Sequence, residues 1–322
     1  SSDVCSSDLA SLPLTSQSAT QKQSQAAEEN WTQYVNPFAG TDGTGHTFPG
    51  AVVPFGMVAP SPDNADRGWD YTSGYQFKNP NILGFSNTHI SGAGIPELGD
   101  ILLMPSQGQD WHAKTKSFSA RKSRQSEMAE PGYYKVELPR HQVQVELTAT
   151  QRVAFHRYTF ANPGKVQVLL DLQHGLHFNE PHRVKQAQSL VHHQASEVTG
   201  TLHTVAWVER QTSFLVQFDR PLHQVVLLSP LEGHKANRYL LTFEVDTSCR
   251  LEVRVALSTV DEAGARRGRK NPRGARGTVG AGVEVLHAGA TGIVERACLP
   301  SVANQRMWHE QARPPPEVLA LG

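Results

Sequence analysis

Five side chains able to do chemistry crowd the first third of the chain: Asp42, His46, Trp69, Asp70 and His89. Glu97 and Asp100 follow closely. All lie in residues 34–105, which hold eleven of the chain's 26 glycines. Glycine at this density does not build helices; it builds tight turns and lets backbone approach a ligand. An aromatic face covers the apolar side of a pyranose, and carboxylates, imidazoles and amides pair its hydroxyls. These residue types in such turns fit sugar recognition. Glycoside hydrolysis needs more, namely a pair of carboxyls for general acid and base work. Asp42, Asp70, Glu97 and Asp100 qualify by type, and equally as plain acceptors for hydroxyls; Asp100 also fits a turn at a strand start. A lone histidine is more often structural than liganding, and Trp69 with Asp70 also fits a core indole beside a turn-capping carboxylate. The residues alone leave both readings open.

Five further histidines, His174, His177, His182, His192 and His193, are scattered through DLQHGLHFNEPHRV and LVHHQ. The H-x-x-H beginning at His174 has no helix and no carboxylate at zincin spacing, so it reads as a polar loop. Cys5, Cys249 and Cys298 follow no metal or redox spacing. Net charge is zero with 19% charged residues, which gives no pull toward nucleic acid or an anionic membrane. No apolar run approaches the roughly 18 residues of a spanning helix.

The elements that must position these residues are strands. Prolines at 49, 54, 60, 62 and 80 exclude long helices from the glycine-rich stretch. Residues 106–130 are polar and read as an exposed connection. Beyond residue 131, period-two alternation predicts half-buried strands: Val143, Val145 and Leu147; Val166, Val168 and Leu170; Phe214, Val216 and Phe218; Leu241, Phe243 and Val245; Leu251, Val253, Val255 and Leu257. Many such strands separated by turns predict an all-β, large antiparallel β-sandwich.

Both ends change texture. Ser1–Asn30 is Ser/Gln/Ala-rich without apolar period and reads as a disordered leader; its SSDVCSSDL start looks foreign to the gene, and no intact signal peptide is visible. From residue 266, GARRGRKNPRGARGTVGAG breaks the pattern, and residues 266–322 read as an irregular tail created by a frameshift. An Arg-rich nucleic-acid tail is the alternative, but no aromatics are interleaved for stacking.

NPFAGTDGTGHTFPGAVVPFGMV, GWDYTSGY, ILGFSNTHISGAG and LGDILLMP resemble, in order and spacing, the start of glycoside hydrolase family 92, the calcium-dependent inverting exo-α-mannosidases. The resemblance covers about residues 31–265. It implies the N-terminal carbohydrate-binding domain, a supersandwich of galactose-mutarotase type, without the helical catalytic domain. It implies a role in the pocket for a terminal mannose for Asp42, His46, Trp69, Asp70 and His89, with no catalytic residue in this chain. Calcium would belong to the intact enzyme and not be held by these residues alone. The implied partners are a mannose-containing glycan and the missing catalytic domain, with neither nucleic acid nor membrane; the implied location is periplasmic or extracellular. The alternatives from other classes are a stand-alone carbohydrate-binding module and a mutarotase-type sugar epimerase using His and Glu/Asp for proton transfer.

Overall fold

The structure, a computed structural model, describes residues 31–177, 183–229, 231 and 233–270. The expectations for Ser1–Asn30, His182 and residues 271–322 lie outside the described residues. In chain order the strands are β1 (Ser61–Asp63), β2 (Asn81–Ile82), β3 (Gly84–Ser86), β4 (Leu102–Ser106), β5 (Ala120–Arg121), β6 (Ser123–Glu130), β7 (Tyr133–Leu138), β8 (Val143–Ala149), β9 (Val153–Phe160), β10 (Gly164–Asp171), β11 (Val184–His192), β12 (Glu197–Val205), β13 (Glu209–Phe218), β14 (Gln224–Leu228), β15 (Arg238–Val245) and β16 (Arg250–Ser258). Helix α1 (Glu262–Lys270) follows.

Two antiparallel sheets carry the fold. One has six strands in the order β1-β3-β4-β10-β15-β14; the other has eight, β11-β12-β13-β16-β9-β8-β7-β6. β2 and β5 form a short separate ribbon. A single apolar cluster joins both sheets, with Leu103, Val168, Leu170, Leu241 and Phe243 from one and Val145, Tyr158, Phe214, Val216 and Val255 from the other. This is the expected all-β sandwich, and each of the five alternating segments is a strand within it.

Alternation understates the burial on the second faces. In β10, Gln167 and Leu169 are also buried, because Gln167 is bonded through both amide atoms to the backbone of Trp111. In β13 and β16, Leu215 and Ala256 lie on the face away from the main core, yet both are buried with Val153 under Ala265 of α1. The helix thus roofs the outer face of the eight-stranded sheet.

Two expectations need correction. Residues 106–130 are not simply an exposed connection: Trp111 and Phe118 are buried against each other, and Ser123–Glu130 is the edge strand β6. An edge strand with one side to solvent needs no apolar face, so its sequence carries no alternation. Helix α1 also carries regular structure past residue 265, to Lys270. Arg266 and Arg269 extend α1 and reach Glu197 at the start of β12 (2.6 and 3.5 Å), so the first turn of the Arg-rich stretch is helical because its cations have a carboxylate beneath them.

The functional residues of interest gather at the β1 edge of the six-stranded sheet. Asp63, the last residue of β1, pairs with Gly84 of β3. The loops that follow β1 and β3, together with the loop before β1, fold over that edge.

Candidate functional site

At the base of the site lies a buried carboxylate. Asp63 accepts from the His89 ring at 2.8 Å through Oδ1 and from the His174 ring at 2.8 Å through Oδ2. Burial pushes the Asp63 pKa up, but the charges and hydrogen bonds of the two imidazoles outweigh it and hold the group well below the usual carboxylate range. His174 shows the converse: burial disfavours its charge, and the bond to Asp63 prevails and raises its pKa. The other nitrogen of His89 lies 2.7 Å from the Ala59 carbonyl, and its side chain has no exposed surface. Gly74 closes the arrangement. It sits at φ +83°, and a Cβ there would stand 1.9 Å from Asp63 Oδ1 and 3.2 Å from His89 Nε2, so only glycine fits.

Above this base stand His46 and Trp69. His46 itself has φ +54°, a conformation uncommon outside glycine though more frequent for histidine. It is fixed there by a bond from Gly92 N to its carbonyl (2.6 Å) and by Nδ1 at 2.7 Å from Thr72 Oγ1. Its Nε2 is buried and has no protein partner. Trp69 begins a short 3-10 turn, Trp69–Tyr71; its ring meets the His46 ring edge-on at 4.8 Å and 83°, and it is 53% exposed. The third loop completes the contact, since a Cβ on Gly94 would lie 3.2 Å from Trp69 Cη2 and 3.5 Å from His46 Cδ2. Asp70 is exposed beside Trp69, and its carbonyl accepts from Gln76 Nε2. The next turn is anchored from below: Tyr75 donates to Glu127 at 2.7 Å, and the buried Lys122 donates to Tyr75 at 2.6 Å.

A second buried cluster supports the 88–100 loop. Asp100 accepts from Arg183 (2.5 Å), Arg210 (2.8 Å) and Thr88 (2.8 Å). Burial would raise the Asp100 pKa, and the two guanidinium groups more than reverse it. Glu97 joins through Arg210 and also accepts from Trp207 N at 2.9 Å and Val208 N at 3.3 Å. These bonds hold a strained segment in which Leu98 and Ile101 have φ of +74° and +59°. Such residues cost about 1–3 kcal/mol each and persist where surroundings over-determine them.

Of the five expected site residues, the structure brings Trp69 and Asp70 to one surface, with His46 buried against the Trp69 ring. His89 belongs to the same cluster but lies beneath it with both ring nitrogens engaged. Asp42 stands apart, its carboxylate 2.6 Å from Lys78 Nζ in a half-exposed ion pair. Asp63 and His174 are what the sequence reading missed. His174 does sit in a loop, as expected, but its ring is buried against a carboxylate 111 residues earlier. Among the described residues no three His, Cys, Asp or Glu side chains converge as a bound ion needs. Asp63 already gives one oxygen to each of two imidazoles, so the described residues do not fit a calcium centre.

Comparison with known proteins decides the family. The family model described as the glycosyl hydrolase family 92 N-terminal domain matches residues 34–258. The chain belongs to glycosyl hydrolase family 92. A family 92 alpha-mannosidase from Bacteroides thetaiotaomicron, solved in complex with mannoimidazole, superposes with a TM-score of 0.72 at 29% identity, covering 83% of this chain and 37% of that one. A second, inverting family 92 mannosidase from the same organism gives a TM-score of 0.65 at 22% identity over 82% of this chain and 36% of its own, a likeness of fold. A curated relative from Arthroderma benhamiae, described as an uncharacterized secreted glycosidase, is 32% identical over 149 residues, covering 43% of this chain and 19% of that protein. This family 92 chain therefore spans about a fifth of the length of the curated relative and under two fifths of the solved mannosidases. No described helix is long and apolar enough to cross a membrane.

Proposed function

We propose that this chain is the carbohydrate-binding N-terminal domain of an exported exo-α-mannosidase that removes terminal α-mannose from glycans. In this reading it supplies one wall of the mannose pocket, while the general acid, the general base and the calcium site belong to the helical domain of the intact enzyme. The observation that carries the proposal is the pairing of a half-exposed indole, Trp69, with the buried and unpartnered Nε2 of His46. An unsatisfied buried polar group costs about 1–3 kcal/mol, and a sugar hydroxyl would relieve that cost while the pyranose face rests on the indole. Asp70 offers an exposed acceptor beside them. Membership of family 92 and the mannoimidazole-bound relative support mannose as the sugar, and the secreted relative supports export to the periplasm or outside the cell.

The carboxylates themselves support the division of labour. Asp63, Glu97 and Asp100 are buried and bonded to cations or imidazoles, so none is free to exchange a proton with a glycosidic oxygen. Asp70 alone does not make the pair that inversion needs. His89, expected at the sugar, serves here as the support that fixes Asp63 and the Gly74 turn. Asp42 is engaged by Lys78.

A titration of the chain with methyl α-mannoside, followed by Trp fluorescence, tests the reading. Binding is expected near the millimolar range, about −4 kcal/mol, and Trp69→Ala and His46→Ala should each abolish it. An aryl α-mannoside should not be turned over by the chain, with or without calcium. Micromolar binding that survives Trp69→Ala, or turnover abolished by Asp70→Asn, would refute the assignment.

A further inference from the structure

A second exposed indole is held by the same loop that meets the first. Trp207 lies in the hairpin between β12 and β13 and is 75% exposed, with Val208 beside it 53% exposed. Exposed hairpin tips usually owe their position to nothing outside themselves. Here the buried carboxylate of Glu97 accepts the backbone N–H of both residues, and Arg210, the second residue of β13, ties the same carboxylate to Asp100. The tip is thus held from beneath while the indole itself is left uncovered. The loop that holds it is also the loop of the sugar site. Gly94, against the Trp69 ring, is three residues before Glu97, at most about 11 Å of chain. One short segment, Gly94 to Glu97, therefore links the loop against Trp69 to the hairpin that carries Trp207. The flank of the hairpin is polar, with Glu209 and His203 paired at 2.8 Å and both accessible. An aromatic face with exposed polar groups alongside suits a sugar better than it suits an apolar protein surface.

We propose that Trp207 forms an outer subsite that stacks against a sugar of the glycan beyond the terminal mannose, so that Trp69 takes the end of the chain and Trp207 selects what it is attached to. This rests on the reading of Trp69 as the mannose wall. Glu97, buried beneath the hairpin, acts as a positioning residue for Trp207.

The test compares methyl α-mannoside with α-1,2-, α-1,3- and α-1,6-linked mannotriose, titrated into the full chain by calorimetry. At least one triose should bind about 2–10-fold more tightly than the monosaccharide, the range of a single aromatic contact. Trp207→Ala should remove that advantage and leave monosaccharide affinity and the melting temperature unchanged. Glu97→Gln, which loosens the hairpin without touching either indole, should reduce the advantage in part. If the monosaccharide binds but no triose gains, or if the gain survives Trp207→Ala, the outer subsite is wrong while the mannose wall stands. If neither probe binds the wild-type chain, the mannose wall itself fails and the outer subsite with it.

Discussion

Asp63→Asn removes the charge that His89 and His174 share and keeps the shape of the side chain. In the wild-type protein the carboxylate receives two buried imidazole bonds at 2.8 Å. Bonds to charged groups contribute about 1.5–3 kcal/mol each, and breaking a buried pair by removing one partner costs about 3–5 kcal/mol. The amide keeps one acceptor oxygen, so a loss of about 3 kcal/mol is expected near pH 6. The pH dependence is the sharper prediction. His174 has its pKa raised in the folded state, so its contribution is fully present below the unfolded value near 6.5 and is lost as pH rises through the folded value. Asp63 is lowered, so its contribution is present above about 3.8 and is lost only as pH falls below that. The stability gap between wild type and Asp63→Asn should therefore be widest between about pH 4 and 6.5 and narrow above pH 7. For one group the slope is at most about 1.4 kcal/mol per pH unit. Urea unfolding at pH 5.5, 7 and 9, read by Trp fluorescence, measures it. Groups away from the carboxylate, such as His141 and His156, titrate alike in both proteins and cancel in the difference. A gap that stays constant over this range, or one below about 1 kcal/mol throughout, would refute the account of the buried triad.

Three further predictions follow from the same geometry. Gly74→Ala should destabilise by more than about 3 kcal/mol, since it adds a left-handed residue penalty of about 1–2 kcal/mol to displacement of the Asp63 carboxylate; a melting temperature within a degree or two of wild type would exclude this. Between pH 6.5 and 4 the wild-type protein should lose stability, because burial depresses His156 to about 3 and His141 to about 4 while their unfolded counterparts take up protons. Each contributes a slope of up to about 1.4 kcal/mol per unit, and burial also lowers His177, so His156→Gln should flatten the denaturant midpoint against pH in part. Phe55, fully exposed with φ +57°, follows Pro54 in a tight turn closed by Gly56 N to Val53 O. Phe55→Gly should stabilise the fold by about 0.5–1 kcal/mol, the relieved strain less the added backbone entropy, and calorimetry showing a clear loss would mean that the ring packs in solution.

Much of the sandwich was legible because its strands have one face in a common core: Val143, Val145 and Leu147, or Phe214, Val216 and Phe218, state that face directly. What alternation could not convey is what covers the other face. Leu215 and Ala256 read as solvent-facing until α1 is placed over them, and β6 has no face to state. The site was legible in part for a similar reason. Glycine density marks where turns converge, so His46, Trp69 and His89 stood out as members of one region. Which of them faces outward depends on partners far along the chain. His89 is turned inward by Asp63, and Asp63 is fixed by His174, a residue whose surroundings in DLQHGLH give no sign of a carboxylate 111 positions away. Asp42 was drawn to the surface by Lys78, an exposed cation that no local pattern links to it.

The two arginines of α1 that settle on Glu197 bear on where this unit can be cut from or joined to other chains. The family match closes at residue 258, the last residue of β16. A chain severed there would carry Val153, Leu215 and Ala256 bare on the outside of its largest sheet and leave Glu197 without its cations. A unit moved between proteins with that sheet face still covered therefore has to carry α1 as well. A graft made at the end of the last strand would move the sugar wall and leave its roof behind.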